Sequence, residues 1–569
     1  MEVTEQTFVS WDGAELFYRK WVPDKPTDKA LLLFHRGHEH SGRWRETVDS
    51  LGLKDVAIFA WDARGHGRSP GERGAANRLL DVIRDVDSFA RHISRQHGIP
   101  WENMIVLAHS LAAVTVAAWV HDYAPPIRAM ILATAAFHVK LYVPLAIPAL
   151  RIVRPRFVKS YVKSKMLTHD REQAARYDSD PLIFRQIAVN VLLDLRDTAK
   201  RLVADAGAIR TPTLMIGAGK DWIVSLNAQR EFFDRLSSTE KRFEMFPEAY
   251  HAIFHEINRR DIVDLVRDFI RDCFANPLTA PLLLTADKSG YTAREYERLK
   301  MNGSMKFAIA RAGLRFAGQL SSGIEIGWRN GFDSGLSLDY VYENEPHGWR
   351  AFGRLIDKSY LNSIGWRGIR QRKANLEKVL CGLIQKLHRD NHPVQILDVA
   401  AGAGRYVIET ISAFPEIPIG ATLCDYKQEN VDAARALADK SNLDGAVVTR
   451  RGDAFDRDSL ARIQPRATIG IVSGLYELFP SNDLVLNSLR GLAEAIEPGG
   501  YLIYTNQPWH PQLEFIANVL RNREGERWIM RRRTTGEMDE LIRTAGFEKI
   551  DMEIDQWGMF TVSAAQRAR

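Results

Sequence analysis

Two short apolar runs in this chain each end in a turn of small residues and pass straight into a helical pattern. They are Ile105-Val-Leu-Ala-His-Ser-Leu-Ala112 and, far downstream, Ile396-Leu-Asp-Val-Ala-Ala-Gly-Ala-Gly404. A strand that stops at a tight turn before a helix is the repeating unit of a mostly parallel sheet, so two such sheets are expected. The 569 residues agree with this, because a single hydrophobic core stops growing at roughly 250–300 residues.

The intervening pattern sets the boundaries. Residues 30–35, 55–61, 105–108, 130–133, 213–217 and 242–246 read as strands separated by amphipathic segments. Residues 137–200 break that rhythm with Pro144, Pro148, Pro155 and Pro181, and are expected to form an inserted cap. No alternation is visible over 276–345, which is read as a linker or helical connector, although 291–316 looks helical. Residues 351–388 then read as helices, and strands recur at 394–399, 419–424, 446–450, 468–473 and 501–505. The domains are therefore expected at 1–275 and 346–569.

Composition excludes some classes. Three widely spaced cysteines, Cys273, Cys381 and Cys424, make neither a disulfide framework nor a thiolate metal site, which suits a reducing cytoplasm. The N-terminus lacks the basic start and apolar core of a secretory signal, and no apolar run reaches transmembrane length. A net charge of +6 permits attraction to phosphate or anionic lipid without requiring it.

A serine hydroxyl becomes a useful nucleophile only when a base takes its proton and an acid holds that base in the right tautomer. Ser110 follows a strand and precedes a helix, the context of a nucleophile elbow. Asp221 lies just past the strand at 213–217 and His251 past that at 242–246. The order Ser, Asp, His is that of α/β-hydrolases.

The segments Phe34-His-Arg-Gly-His-Glu-His-Ser-Gly-Arg-Trp44 and Asp62-Ala-Arg-Gly-His-Gly-Arg-Ser69 make the resemblance narrower. Over about residues 10–270 the chain resembles the monoacylglycerol lipase and lysophospholipase branch (serine aminopeptidase-like) of the α/β-hydrolases. The resemblance implies an oxyanion hole from the backbone N–H groups of Gly37 and Leu111, and a lipid-like or small-molecule ester substrate. His35 and His66 are expected to brace loops. Ala108 and Ala112 replace the glycines that usually flank the serine, and Arg36 replaces a glycine beside the oxyanion segment. Its side chain is expected to be solvated, the other reading being contact with a substrate phosphate.

No acidic residue occurs between Asp122 and Asp170, where Arg128, Lys140, Arg151, Arg154, Arg156, Lys159, Lys163 and Lys165 accompany the apolar run 141–150. This cap suits peripheral docking on the inner face of an anionic membrane; an ordinary solvated basic face is the other reading.

In the second half, Asp398, Ala400, Gly402 and Gly404 form a turn of little bulk that lets backbone approach a cofactor. The spacing is not that of a dinucleotide fingerprint. Asp425 ends the next strand, and Asp453 with Ala454 follows the third. This series resembles class I S-adenosyl-L-methionine-dependent methyltransferases, a Rossmann-like fold, over about 345–562. By that resemblance Asp398, Gly402 and Gly404 frame the methionine part of S-adenosyl-L-methionine, Ala400 stands at the usual first glycine, Asp425 meets the ribose, and Asp453 with Ala454 the adenine. Asn506-Gln-Pro-Trp509 is similar to the loop of amino-group methyltransferases but follows the wrong strand, so no nucleic-acid partner is expected. Tyr476, Glu477 and Trp509 are placed near the acceptor as wall, and the basic run 521–533 as a solvated helix face.

The expectation is a bifunctional enzyme: a serine ester hydrolase joined to a methyltransferase, with no metal. Such a fusion also resembles a recurrent bacterial arrangement. Two alternatives stay open, a first half that only docks substrate or membrane, and a second half that only senses S-adenosyl-L-methionine.

Overall fold

The computed structural model describes residues 2–140, 146–277, 283–301 and 303–569. It divides into two compact units, Met1–Pro281 and Leu282–Arg569.

The first unit is built on eight strands: β1 (Val3–Val9), β2 (Glu15–Trp21), β3 (Ala30–Phe34), β4 (Ala57–Trp61), β5 (Met104–His109), β6 (Ala129–Ala133), β9 (Thr213–Ala218) and β10 (Lys241–Phe246), with β7 (Phe157–Lys159) and β8 (Gln186–Ala188) forming a separate antiparallel pair. The order β1-β2-β4-β3-β5-β6-β9-β10 is that of an α/β-hydrolase sheet. The β3, β4, β5, β6 and β9 strands are buried throughout, because helices cover both faces of a parallel sheet and leave no polar side. Strands β1 and β2 pair antiparallel at the edge and escaped the periodicity, since most of β1 is exposed and carries few apolar residues.

The insertion expected at 137–200 lies between β6 and β9. It contains the helices Ala146–Val153 and Arg171–Ser179, the antiparallel pair β7/β8, and the start of the helix Val189–Asp205. Asp170 caps the second helix by accepting the N–H groups of Glu172 and Gln173. The apolar run 141–150 falls in part on 141–145, outside the described residues.

The second unit carries β11 (Val394–Val399), β12 (Ile419–Asp425), β13 (Val447–Arg451), β14 (Ala467–Val472), β15 (Ile496–Asn506), β16 (Phe547–Ile554) and β17 (Thr561–Arg567). Their order is β13-β12-β11-β14-β15-β17-β16, with β17 antiparallel to both neighbours. This is the Rossmann-like sheet of a class I methyltransferase: parallel, with a reversed last strand inserted beside β15.

Two sequence expectations are corrected here. The stretch read as a connector over 276–345 is, from Ala286 onward, a layer of helices packed into the second unit. Phe307, Phe332 and Val341 join Ile516, Met530 and Phe560 in one buried cluster. Short helices with glycine-rich joints hide this from a periodicity search.

The basic run 521–533 is not helical, and although 524–526 are exposed, its last three arginines are not solvated. Arg531, Arg532 and Arg533 are among the most buried side chains of the molecule. Arg531 pairs with Glu537 at 2.7 Å, Arg532 pairs with Glu295 and donates to the Pro508 carbonyl, and Arg533 donates to the carbonyls of Tyr476 and Phe479 at 2.6 and 2.8 Å. These contacts match most of the N–H groups of the buried guanidinium groups, Arg531 Nε being left without a partner.

Candidate functional sites

Ser110 is held at φ 62 and ψ −114 between β5 and the helix Leu111–Tyr123, a conformation that costs an ordinary residue energy and that only a well-packed turn maintains. Its N–H donates to the Ala133 carbonyl at 2.9 Å and its carbonyl accepts from Ala136, so neighbouring β6 fixes the turn. Ala108 and Ala112 are both buried at the elbow, which forms with alanine where glycine was expected.

The three candidate catalytic residues come together. His251 Nε2 lies 2.8 Å from Ser110 Oγ, and His251 Nδ1 lies 2.8 Å from Asp221 Oδ2. Asp221 Oδ1 accepts the N–H groups of Ile223 and Val224, at 2.7 and 2.9 Å. Burial pushes the Asp221 carboxyl up, but His251 and these backbone donors outweigh it and leave it below the ordinary value. Lys140 donates to the Asp221 carbonyl at 2.5 Å, tying the start of the cap to the acid.

Gly37, Ser110, Leu111 and His251 share the lining of one cavity of about 370 Å³. Its other walls are mostly apolar, with Val139, Leu150, Val158, Leu192 and Ile223 contributed by the cap and the β9 loop. Gly37 faces Leu111: a Cβ on the glycine would lie 4.0 Å from Leu111 Cδ1.

His35 Nε2 accepts the Ala63 N–H at 3.0 Å, so its Nδ1 carries the proton and donates to the Arg36 carbonyl at 2.8 Å. Burial holds this ring neutral by pushing its pKa down. Both His35 and His66 thus brace backbone loops.

Arg36 departs from the sequence expectation. It is 3% exposed, pairs with Glu39 at 2.8 Å and lies over the Tyr177 ring. Burial raises the Glu39 carboxyl, yet Arg36, His255 and Arg43 together hold it far below the usual carboxylate range. The glycine position has become part of a buried ion pair behind the oxyanion segment.

Several basic cap residues are already paired, Arg151 with Asp197 at 2.6 Å and Arg156 with Glu72. Beside them Ile152 and Val153 are 83% and 72% exposed.

In the second unit a cavity of about 500 Å³ opens at the C-terminal ends of β11, β12 and β14, where ligands bind in open α/β sheets. Residues 400–406 and Asp425 line it. Gly402 has φ +59 and nothing within 4 Å of where a Cβ would stand, while at Gly404, φ +64, a Cβ would lie 2.5 Å from Leu423. Ala400 takes φ +59 as well, a strained conformation for a residue with a Cβ. The turn therefore presents bare backbone to the cavity.

Asp398 is wholly buried and neither carboxylate oxygen has a hydrogen-bond partner. Burial raises its pKa well above the ordinary value; the Tyr406 hydroxyl, near but outside hydrogen-bond geometry, offsets this only in part. Asp425 accepts from the N–H groups of Gly402 and Lys427, both at 2.9 Å, and from Asn430 at 3.0 Å. Asp398 itself does not line the cavity; the open glycine cradle with Asp425 joined to it suits a hydroxyl-bearing ligand such as S-adenosyl-L-methionine.

Asp453 and Ala454 are not brought to this cavity. Asp453 is exposed and accepts the Phe455 N–H at 2.9 Å, while Ala454 is buried in the core beside the sheet. Asn430, Gly335 and Asp339 are among the lining residues instead.

Sequence reasoning missed Arg372, Gln507 and His510, which also line the cavity. Arg372 sits 3.4 Å from Glu477. The available signal was position: Gln507 and His510 follow the C-terminal end of β15. Among the described residues no acidic, cysteine and histidine cluster could hold a metal, and no helix is long and apolar enough to cross a membrane.

Residues 266–567 match the family described as "Putative methyltransferase", and residues 25–258 the family described as "Serine aminopeptidase, S33". The "Uncharacterized protein YnbC" of Escherichia coli K12 is 46% identical over 99% of this chain and 98% of its own length. The "Monoacylglycerol lipase" of Mycolicibacterium smegmatis is 25% identical, covering 47% of this chain and 96% of its own. The crystal structure of the Paleococcus ferrophilus monoacylglycerol lipase covers 46% of this chain and 99% of its own at 22% identity, with a TM-score of 0.42.

Proposed function

The chain belongs to the putative methyltransferase family, with an S33-type hydrolase half ahead of it, and from that premise we propose a bifunctional enzyme. The first half cleaves an ester of a lipid-like substrate; the second methylates an acceptor at the expense of S-adenosyl-L-methionine.

The observation that carries the first reading is the hydrogen-bonded series Ser110, His251, Asp221 on a strained elbow. Ser110 Oγ attacks the ester carbonyl as His251 Nε2 takes its proton, and Asp221 holds the opposite Nδ1–H so that the imidazolium is stabilised. The N–H groups of Gly37 and Leu111 receive the negative oxygen of the tetrahedral intermediate. His251 returns the proton to the leaving alkoxide, and water repeats the sequence on the acyl-enzyme. The apolar cavity beside Ser110 accommodates the acyl chain. A fluorophosphonate probe should label Ser110 and fail on Ser110→Ala; folded parent protein that takes no label would leave the first half as a docking module.

In the second half Ala400, Gly402 and Gly404 would hold the methionine end of S-adenosyl-L-methionine and Asp425 the ribose. When bound, that group supplies an electrophilic methyl on a sulfonium. The work of the chain is to orient the acceptor and keep water away, which the largely apolar lining of the cavity supports. Calorimetric titration of S-adenosyl-L-methionine into the full chain, and into Asp425→Ala, tests this; no heat in the parent sinks it.

Ile152 and Val153, flanked by Arg151 and Arg154, support peripheral contact of the cap with an anionic membrane at its inner, cytoplasmic face. Equal sedimentation with anionic and neutral vesicles would count against that contact.

A further inference from the structure

Two helices of the second unit carry an apolar face that the fold does not use. The helix Met305–Gly318 turns Phe307, Ala310 and Leu314 into the buried cluster of the helical layer. Met305, Ile309, Ala312 and Phe316 recur at i, i+4, i+7 and i+11, the spacing of one helix face, and all four are exposed. In the helix Arg350–Leu361 the buried positions are Gly353, Asp357 and Leu361, whereas Phe352 and Leu355 stand outside, with Trp349 just ahead of the first turn. The large apolar side chains of these stripes, Trp349 included, are between 57% and 79% exposed. Single exposed apolar residues are ordinary, but a repeat along two neighbouring helices marks a contact surface.

The helices meet at Leu320, whose carbonyl accepts the Trp349 N–H at 3.0 Å and lies against Gly353. Leu314 and Ala317 of the first helix and Ile356 and Ser359 of the second line the cavity described above. Leu355 and Ser359 are one turn apart on one face, so the outer stripe of the second helix runs to the cavity.

The exposed charges beside the stripes have one sign: Lys306 and Arg315 on the first helix, Arg350, Arg354 and Lys358 on the second. The first helix contains no acidic residue. The one acid of the second, Asp357, is wholly buried and accepts the N–H groups of Gly323 and His347, both at 2.9 Å. Unlike Arg151 and Arg156 of the cap, none of the five cations has a carboxylate partner among the described residues. Lys306, Arg315 and Arg350 lie instead over the rings of Phe307, Trp328 and Trp349. An apolar stripe edged by unpaired cations and aromatic rings suits a helix lying in a lipid headgroup layer. A second copy of this chain, meeting the face by two-fold symmetry, would bring like charges together. We propose that the helices Met305–Gly318 and Arg350–Leu361 dock the second half on an anionic lipid surface. This contact uses residues other than those of the cap, goes beyond the function proposed above, and does not depend on S-adenosyl-L-methionine being the cofactor.

Vesicles of phosphatidylglycerol and of phosphatidylcholine are the probes, each co-sedimented with the full chain. Binding to phosphatidylglycerol should be at least about tenfold tighter. Ile309→Ser with Phe316→Ser, and separately Phe352→Ser with Leu355→Ser, should each weaken it by at least about tenfold. The same losses should appear in a chain whose cap carries Ile152→Ser and Val153→Ser, which separates this surface from the cap. Melting temperatures should barely move, because the replaced side chains are exposed. A marked fall in melting temperature would show the face covered within the chain, and self-association abolished by the substitutions would give it to a second copy. Equal binding to the two lipids, or helix variants that bind like the parent, would remove the anionic lipid surface. Each of these results overturns the inference.

Discussion

Nδ1 of His251 stands 2.8 Å from Oδ2 of Asp221, whose other oxygen is held by the N–H groups of Ile223 and Val224. The acid is thus fixed before any substrate arrives, and it dictates which ring nitrogen faces Ser110. Asp221→Asn keeps the shape but permits the wrong tautomer. Its kcat for a p-nitrophenyl ester should fall by roughly 10⁴ with little change in KM, measured by steady-state kinetics.

Acid stability should carry the signature of two buried carboxylates. Asp221 and Glu39 both have folded pKa values below their unfolded ones. Their contribution is therefore fully present above about pH 4.5 and is lost as pH falls through the folded values. Denaturant melts of the parent from pH 6 to pH 2 should show stability declining with acid, and Glu39→Gln should show a shallower decline.

Arg36→Ala removes the cation buried against Glu39. The carboxylate left behind has lost a principal partner, so a loss of about 3–5 kcal/mol is expected by chemical denaturation. Combining it with Glu39→Gln should recover part of that loss. A solvated Arg36 would give almost none.

The two glycines of the second site should fail differently. Gly402→Val adds bulk where nothing lies within 4 Å, so the fold should survive with a penalty near 1–2 kcal/mol from the left-handed backbone while S-adenosyl-L-methionine binding is lost. Gly404→Val drives its side chain into Leu423 and should lower the melting temperature far more. Calorimetry and thermal melting separate the two outcomes.

Arg533 should act at a distance from the cavity. Its N–H groups hold the carbonyls of Tyr476 and Phe479, on either side of Glu477. Arg533→Lys cannot span both, so the loop after β14 should loosen, seen as faster amide exchange at residues 474–481.

Much of the fold was legible because buried parallel strands leave continuous apolar runs: β11 was placed at its observed bounds, and β3, β5, β9 and β12 to within a residue or two. The strands β1 and β16 were not, since exposed edge strands carry mixed residues, and β17, though buried between β15 and β16, reads Thr-Val-Ser-Ala-Ala, too small and polar to stand out as an apolar run. Ser110, Asp221 and His251 were legible for a related reason, each lying just past a strand that could be recognised. Arg372, Gln507 and His510 carried no motif, and only packing against the helical layer gives them a common cavity.

The buried parallel strands, the turns at Ser110 and Gly402 and the chemistry they invite were determined by local sequence, because backbone geometry and hydrophobic periodicity act over a few neighbours. What became of the charges was decided by tertiary structure alone. Arg36 and Arg531–Arg533 look like surface residues in any window of sequence, and they are buried because Glu39, Glu295 and Glu537 reach them in the fold. The helices after Ala286 are likewise wall rather than tether, since only the folded chain provides the apolar surface they cover.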